Sequence, residues 1–412
     1  MPGPACWKNL ERVQTMQFEL NEEQRALART VRSFAQRELL PNYSKWDREK
    51  TFPRSLWKKL GGLGLIGMRV DAEHGGLNAD CVTMGVAAEE IGRGDPNIGV
   101  ALVVGELCGH MLQYGTARAG KEFLDPMMQG DLVPAFAVTE PHCGTDAGAM
   151  KTRAVRQGKN YILNGEKSGV TLTNVADFIV VYAKTDPAAG PHGVSAFVVN
   201  AEAPGVSKQY YEDMGAKSLV RGSISLDDVV VSEDYRLGLE GDGFKLMMKG
   251  FDVSRVYLAL LCLGAAEISV EETIKYTRER SAFGKPLARF EAVSFTIAEH
   301  SGILESARLL CYKALWLRDQ GLPHSKEAAM VKWMGPRFSV DAIRDCLLLH
   351  GHYGYTQEFP LEQRLRDVVG VEIADGTAQA CKIVIARELF GREYLPYESL
   401  DYREGALQAT AF

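Results

Sequence analysis

Two short segments of this 412-residue chain combine glycine with hydroxyl-bearing or basic residues. The segment VTEPHCGTD, at 138–146, joins a glycine-containing turn to threonine hydroxyls and free backbone N–H groups. Such a turn can bind the edge of a flavin ring or a phosphate, and taken alone it is equally consistent with a structural loop. The segment RSAFGK, at 280–285, ends a long helical pattern. Its guanidinium suits a diphosphate, but a basic helix end also complements the helix dipole.

Acids and histidines supply further candidates for chemistry. Asp375 lies in IADGTAQ (373–379), directly before a helical pattern, and Glu106 follows the apolar stretch ALVVG. Asp95 lies in the sequence GDPN, where a turn is its ordinary role. His350 and His352 are two possible metal ligands without a third nearby, so no metal is expected. The eight cysteines contain no CxxC, which indicates reduced thiols.

The elements that must position these residues follow the order α, β, α. Residues 18–130 show helical spacing, with apolar positions at 27, 31, 34 and 35 opening the first pattern. Residues 131–240 contain alternating and β-branched runs separated by Gly, Pro and Asp, which predicts a compact antiparallel β domain. Residues 241–400 return to long helical periodicity. It predicts a bundle of four helices at Val256–Arg280, Phe290–Gln320, Ser325–Leu349 and Thr377–Leu389.

Bulk composition excludes several classes of partner. The chain is 46% hydrophobic and 24% charged, as expected of a large soluble protein with two or three core regions. Its net charge of −6 gives no reason to expect nucleic acid or an anionic membrane as a partner. No apolar run of membrane-spanning length is evident, and residues 1–15 lack the apolar core of a signal peptide. We expect residues 1–15 to be an extension.

Five segments resemble motifs of the acyl-CoA dehydrogenase family, in the same order and over nearly all of residues 18–400. They are VTEPHCGTD, NGEKSGVT (164–171), RSAFGK, HGHYGY (350–355) and IADGTAQ. The resemblance implies an α+β fold: an N-terminal α domain at 16–130, a middle antiparallel β domain at 131–240, and a C-terminal four-helix bundle within 241–412. It also implies FAD as the cofactor and a homotetramer.

The resemblance further implies which residues contact FAD. Arg280 would bind the pyrophosphate of FAD in a neighbouring subunit, which requires at least a dimer. Gly169 occupies a position where many members carry a Trp against the ring, so its pocket has different walls. The full set of implied cofactor contacts is Phe136, Val138, Thr139, Gly144, Thr145, Gly169, Thr171, Arg280, Phe283, Gly351, Thr377 and Gln379.

For catalysis, the resemblance identifies Asp375 with a Glu that removes the substrate α-proton in many members. Asp is one methylene shorter, and proton transfer is sensitive to about 1 Å of placement. Some branches place the base at the position of Ser254, but a serine is a poor base, so Asp375 is favoured. Glu106 is a second candidate acid or base. The implied substrate contacts are Thr145, Phe251, Ser254, Arg255 and Gly376.

These matches imply α,β-desaturation of an acyl-CoA, with electrons passing to an electron-transfer flavoprotein. The shorter base and Gly169 favour a branched or cyclic acyl group, such as cyclohexane-carboxyl. A flavin oxidase of the nitroalkane-oxidase type, which also uses an Asp base, stays open as an alternative. So does a non-redox lyase that keeps FAD as structure, although such relatives typically lose the carboxylate. The expected location is the bacterial cytoplasm, or the mitochondrial matrix in a eukaryote.

Overall fold

A computed structural model describes residues 19–395, so the expected extension at 1–15 lies outside the described residues. The first helix begins with a reciprocal cap, in which Asn21 Oδ1 accepts the Gln24 N–H at 2.8 Å and Gln24 Oε1 accepts the Asn21 N–H at 3.1 Å. The N-terminal helices are α1 (Glu22–Phe34), α2 (Tyr43–Glu49), α3 (Arg54–Gly62), α4 (Cys81–Gly94), α5 (Pro96–Leu112), α6 (Ala117–Ala119) and α7 (Asp125–Met128), with π-helical turns at Ala35–Leu39 and Gly120–Leu124.

Asp95 alone separates the buried helices α4 and α5. Its carboxylate accepts the N–H groups of Asn97 at 2.8 Å and Ile98 at 3.3 Å, which caps α5. Burial, together with the nearby carboxylate of Asp367, raises the pKa of Asp95 to about 8. The predicted turn role of Asp95 is therefore confirmed in the form of a helix cap. It fixes the angle at which α5 and its Glu106 enter the core.

The middle region forms one eight-stranded sheet with the order β6-β7-β3-β2-β4-β5-β8, and β1 pairs with β4. Most neighbouring strands are antiparallel, as predicted. However, β1 runs parallel to β4, and β2 also pairs with β4 in parallel through the single pair Arg153–Lys184. Residues 178–183 of the strand that pairs with β1 are buried on both faces, as strands with parallel neighbours commonly are. The strands are β1 (Pro134–Ala137), β2 (Arg153–Gln157), β3 (Asn160–Val170), β4 (Phe178–Lys184), β5 (Val194–Asn200), β6 (Val206–Tyr210), β7 (Gly222–Ser232) and β8 (Arg236–Leu237).

The C-terminal region is helical, with two departures from expectation. Helix α8 begins at Gly243 rather than Val256. It continues through Gly250, where an added Cβ would lie 3.0 Å from the side chain of Leu107 on α5. A helix at Leu361–Ile373, directly after Pro360, was not predicted. The helices are α8 (Gly243–Glu279), α9 (Glu291–Asp319), α10 (Ser325–Leu349), α11 (Leu361–Ile373) and α12 (Ala378–Phe390), with the short strands β9 (Ser281–Ala282) and β10 (Lys285–Pro286) between α8 and α9.

Helix α8 is the central element of the helical core. Within the described residues it is the one helix that is long and apolar enough to cross a membrane by composition, with a mean hydropathy of 1.6 over its most apolar window. However, 83% of that window is buried inside the protein, against α4, α5, α9 and α10. Its apolar character is therefore that of a core helix, and it places residues 251–255 beside the turn that carries Asp375.

Candidate active site

Asp375 lies in the turn between α11 and α12, in a left-handed conformation (φ 55°) that aspartate tolerates better than most residues. The Ser254 hydroxyl donates to Asp375 Oδ2 at 2.5 Å, and Arg255 Nε donates to the Asp375 carbonyl at 3.3 Å. The other oxygen, Oδ1, is buried and has no hydrogen-bond partner within residues 19–395. Burial raises the pKa of Asp375, while Arg255, the Ser254 hydroxyl and Lys332 act in the opposite direction.

Lys332 on α10 binds the backbone of this turn, a contact that the sequence analysis did not predict. Its side chain is 1% exposed, and Nζ donates to the carbonyls of Val371 at 2.8 Å and Gly376 at 3.0 Å. Burial lowers the pKa of Lys332, whereas the carboxylate of Asp375 raises it. Its position on α10, one residue after the buried Val331 and three before the buried Gly335, was a signal for a buried lysine. That position did not indicate its partner carbonyls.

A chain of contacts joins Asp375 to the sheet. The Arg255 guanidinium lies 5.9 Å from the ring centroid of Phe251, whose ring lies 6.0 Å from that of Phe136 on β1. Arg255 also pairs with Asp252 at 3.2 Å, which fixes its orientation. The structure therefore brings together Asp375 and the predicted substrate-side residues Phe251, Ser254, Arg255 and Gly376.

The 138–146 loop is fixed to β3 by a buried ion pair. Lys167 Nζ donates to Glu140 Oε1 at 2.8 Å and to the Val138 carbonyl at 3.0 Å, and the Ser168 N–H donates to the Thr139 carbonyl at 2.8 Å. Glu140 also accepts the N–H groups of Lys151 and Thr152. Although burial opposes ionisation, Lys167 and these donors lower the pKa of Glu140. The ion pair between Lys167 and Glu140 therefore fixes the position of this loop relative to β3.

The predicted cofactor contacts on this loop and strand leave donors free. The hydroxyls of Thr139, Thr145 and Thr171 make no hydrogen bond to another residue in the described chain, and Thr139, Gly144 and Thr145 are exposed. Gly169 has φ 65°, and an added Cβ there would meet only Arg221 Nη2 at 3.3 Å. The Arg221 guanidinium therefore lies beside this glycine, at the position where many family members carry a Trp.

The same loop contains the one group of three potential metal ligands found among the described residues. Ligand atoms of Glu140, His142 and Cys143 lie within 4.8 Å of one another. Both Glu140 oxygens already accept hydrogen bonds, from Lys167, Lys151 and Thr152. Burial raises the pKa of the Cys143 thiol, which disfavours the thiolate that would bind a metal. The donor set favours a structural role.

Arg280, Phe283 and Gly351 lie at the opposite end of the bundle. Ser254 and Glu279 are 25 positions apart on α8, a separation of about 38 Å at the helical rise. Phe283 is 96% exposed in a two-residue turn between β9 and β10. The turn at Gly351 lies at the same end, since the Tyr276 hydroxyl donates to the His350 carbonyl at 3.2 Å and the two rings stack at 4.2 Å. These predicted contacts and Asp375 do not meet within one chain.

One of the two predicted contacts near Asp375 has another structural role. The Thr377 hydroxyl accepts the Ala380 N–H at 3.2 Å and caps α12. Gln379 is exposed on the first turn of that helix. Thr377 therefore already stabilises the position of α12, and a cofactor contact would use its remaining hydrogen-bonding capacity.

Glu106 is buried on α5, where its Oε1 accepts the Arg69 N–H at 3.4 Å. Burial raises the pKa of Glu106, and the Arg69 guanidinium opposes that shift. Glu106 and Ser254 line one small cavity, together with Tyr257 on α8. The second predicted acid is therefore near the Asp375 site, separated from it by Ser254.

Comparison with known proteins decides the family. Residues 21–131, 135–229 and 241–390 match the acyl-CoA dehydrogenase N-terminal, middle and C-terminal domains. The short-chain-specific acyl-CoA dehydrogenase of Clostridium acetobutylicum is 34% identical over 378 residues, 91% of this chain and 100% of the relative. The chain belongs to the acyl-CoA dehydrogenase family.

Two further relatives agree with this membership. The human mitochondrial short-chain-specific acyl-CoA dehydrogenase is 35% identical over 389 residues, which cover 94% of this chain and 94% of that relative. The structure of butyryl-CoA dehydrogenase from Megasphaera elsdenii superposes with a TM-score of 0.87 at 30% identity, covering 91% of this chain and 100% of that one. This acyl-CoA dehydrogenase is therefore an oxidoreductase with an acyl-CoA thioester as substrate. The predicted fold is confirmed.

Acyl-CoA dehydrogenases depend on FAD, and the residues present fit that cofactor. The hydroxyls of Thr139, Thr145 and Thr171 have no competing partner in the part of the chain that the structure describes. Phe136 lies on β1 and Gly169 on β3, the strands that precede these threonines in the chain. These groups would hold the ring portion of FAD beside the α8–Asp375 contact.

Proposed function

We propose that this acyl-CoA dehydrogenase desaturates a branched or alicyclic acyl-CoA, with Asp375 as the base that removes the α-proton. The observation that carries the proposal is the asymmetry of the Asp375 carboxylate. Oδ2 is held by Ser254 at 2.5 Å, whereas Oδ1 is buried and unpartnered. An unpartnered oxygen in a buried carboxylate is a competent proton acceptor, because no other donor must be displaced before reaction.

The residues around Asp375 have separate duties in this proposal. The Asp375 N–H polarises the thioester carbonyl and makes the α-carbon more acidic. Arg255 holds the turn through the Asp375 carbonyl, and Phe251 packs between Arg255 and Phe136. Lys332 prevents the turn from moving away when the carboxylate becomes protonated. FAD supplies the acceptor for the hydride that leaves the β-carbon.

The proposed substrate class follows from the length of the base. A carboxylate one methylene shorter reaches the α-carbon only if that carbon lies closer, which a tertiary carbon on a ring or branch can satisfy. Gly169 lacks a side chain beside the ring site, and the nearest group there is the end of the Arg221 side chain. In anaerobic stopped-flow experiments we expect cyclohexane-carboxyl-CoA to bleach the flavin about tenfold faster than butyryl-CoA, because placement within about 1 Å governs the rate. Faster bleaching by butyryl-CoA would refute this substrate class.

An oxidase of the nitroalkane-oxidase type is a second candidate, favoured by the Asp base. The discriminating measurement is oxygen consumption by the substrate-reduced holoenzyme without another acceptor. Slow consumption, with rapid reoxidation by an electron-transfer flavoprotein, supports the dehydrogenase. A non-redox lyase is disfavoured by the retained carboxylate of Asp375, and flavin bleaching by an acyl-CoA would exclude it.

The proposal includes a homotetramer with shared cofactor sites. About 38 Å of α8 separates Ser254 from the helix end that precedes Arg280, so one chain cannot place both against the same end of FAD. Large apolar side chains that neighbouring subunits would cover are exposed on the turn after α8 and on α9 and α12: Phe283, Phe295, Ile303, Leu309, Leu389 and Phe390. The proposed location is the cytoplasm of a bacterium, or the mitochondrial matrix.

Removal of the Ser254 hydroxyl should change the pH dependence. Asp375 must be ionised to accept a proton, so activity falls as pH drops through its pKa. The Ser254 hydrogen bond lowers that pKa against the effect of burial, so Ser254→Ala should move the acid limb of the kcat/KM profile to higher pH. Ser254→Thr should restore the limb. Ser339→Ala, which removes a buried unpartnered hydroxyl from α10, is the control, and an equal shift there would contradict the assignment.

Glu106 is the second carboxylate of this proposal. It either binds polar atoms of the substrate or takes a proton from a remote carbon. The cavity that it shares with Ser254 would give it access to the acyl group.

A further inference from the structure

A small cavity extends from Ser254 between α5 and α8. Its volume is about 20 Å³, enough for one water molecule or one substituent atom. The buried side chains of Glu106, Tyr257 and Ser254 line the cavity. Four basic residues also line it: Arg69, His110, Lys249 and Arg318. Since the Ser254 hydroxyl also bonds Asp375, the cavity lies next to the proposed reaction centre.

The lining is unusually polar for a site that would receive a hydrocarbon. The Tyr257 side chain is 1% exposed, and its hydroxyl has no partner within residues 19–395. The same holds for Nε2 of His110. Burial and the adjacent Arg69 lower the pKa of His110 to about 4, so its imidazole is neutral near pH 7. A purely apolar group placed here would leave these atoms permanently unsatisfied, which proteins avoid.

We propose that this cavity binds a hydroxyl group carried by the acyl chain at a carbon remote from the thioester. This inference rests on the proposed dehydrogenase function and names the substrate class more closely, as a hydroxyacyl-CoA. A hydroxyl has one donor and two acceptor sites. It can donate to the Glu106 carboxylate and accept from the Tyr257 hydroxyl, so one atom satisfies both.

Two other substituents fit less well. A carboxylate needs three heavy atoms, more than a cavity of about 20 Å³ admits. A methyl group has the right size but pairs with none of the polar atoms. The lining therefore selects against both the dicarboxylic and the unsubstituted acyl-CoA of the same length.

The test uses the FAD-loaded enzyme and four probes: cyclohexane-carboxyl-CoA, its 3-hydroxy and 4-hydroxy derivatives, and glutaryl-CoA. We expect one hydroxy derivative to exceed the unsubstituted thioester in kcat/KM for flavin reduction by about tenfold, the discrimination of one ordinary hydrogen bond. Tyr257→Phe should reduce that ratio toward one, without changing flavin content. Tyr161→Phe, a buried tyrosine in the sheet domain that bonds Glu240, should leave it unchanged.

The outcomes separate this inference from the proposed function. If no probe and no simple acyl-CoA bleaches the flavin, the dehydrogenase proposal itself fails. If the unsubstituted thioester or glutaryl-CoA is preferred, or if the hydroxyl preference survives Tyr257→Phe with full flavin content, the dehydrogenase stands and the hydroxyl site is overturned.

Discussion

Asp375→Asn should slow flavin reduction by acyl-CoA by about 10²- to 10⁴-fold, the usual contribution of a general base. The amide is almost isosteric and can still accept the Ser254 hydrogen bond, so the turn should keep its conformation. It cannot accept the α-proton at Oδ1, where the structure leaves an unpartnered buried oxygen. The measurement is the limiting rate of anaerobic flavin bleaching, with thioester affinity followed by spectral titration. Affinity should change far less than the rate.

Two variants make this expectation specific. Asp341→Asn removes an exposed carboxylate that pairs with Arg337 on α10, and it should leave the bleaching rate unchanged. Asp375→Glu retains a base but moves it outward by one methylene, so it should recover part of the rate with straight-chain thioesters. If Asp375→Asn keeps a near-normal bleaching rate, another acid must be the base. Loss of that rate in the double variant Asp375→Asn, Glu106→Gln would identify Glu106 as that acid.

Which residues surround Asp375 was accessible from local motifs, because each motif is compact and carries its own geometry. Phe251, Ser254 and Arg255 occupy one turn of α8, so a correct position for any of them places all three. The relation between Ser254 and Asp375 was less accessible. Sequence comparison treated the two positions as alternatives for the base, whereas the structure joins them by a hydrogen bond of 2.5 Å.

Features that depend on distant segments escaped sequence reasoning. Lys332 supports the Asp375 turn across 44 positions of chain, and nothing in its immediate sequence indicates a partner carbonyl. The same applies to the cavity, where Glu106 and Tyr257 meet only after α5 packs on α8. The early start of α8 was missed because Gly250 weakens helix propensity locally, while its close fit against Leu107 is a tertiary effect.

Lys167→Met should have the largest effect on stability and cofactor retention. The side chain is fully buried, and its ammonium neutralises Glu140 while bonding the Val138 carbonyl. Removal of one partner from a buried ion pair typically costs about 3–5 kcal/mol, because the other charge stays buried without compensation. The free energy of unfolding, from denaturant titration, should fall by that amount. Because Val138 and Glu140 belong to the loop proposed to contact the flavin, FAD should also dissociate more readily.

A matched lysine shows whether burial is the cause. Lys208 pairs with the exposed Glu202 at 2.6 Å in the same sheet, and Lys208→Met should cost less than about 1 kcal/mol, as surface pairs do. Adding Glu140→Gln to Lys167→Met removes the uncompensated charge, so the double variant should regain stability relative to the single one. Equal destabilisation by both lysine variants, or no recovery in the double variant, would contradict the anchoring role of Lys167. If stability falls but FAD affinity does not, the loop is anchored for folding alone and its proposed contact with the flavin is wrong.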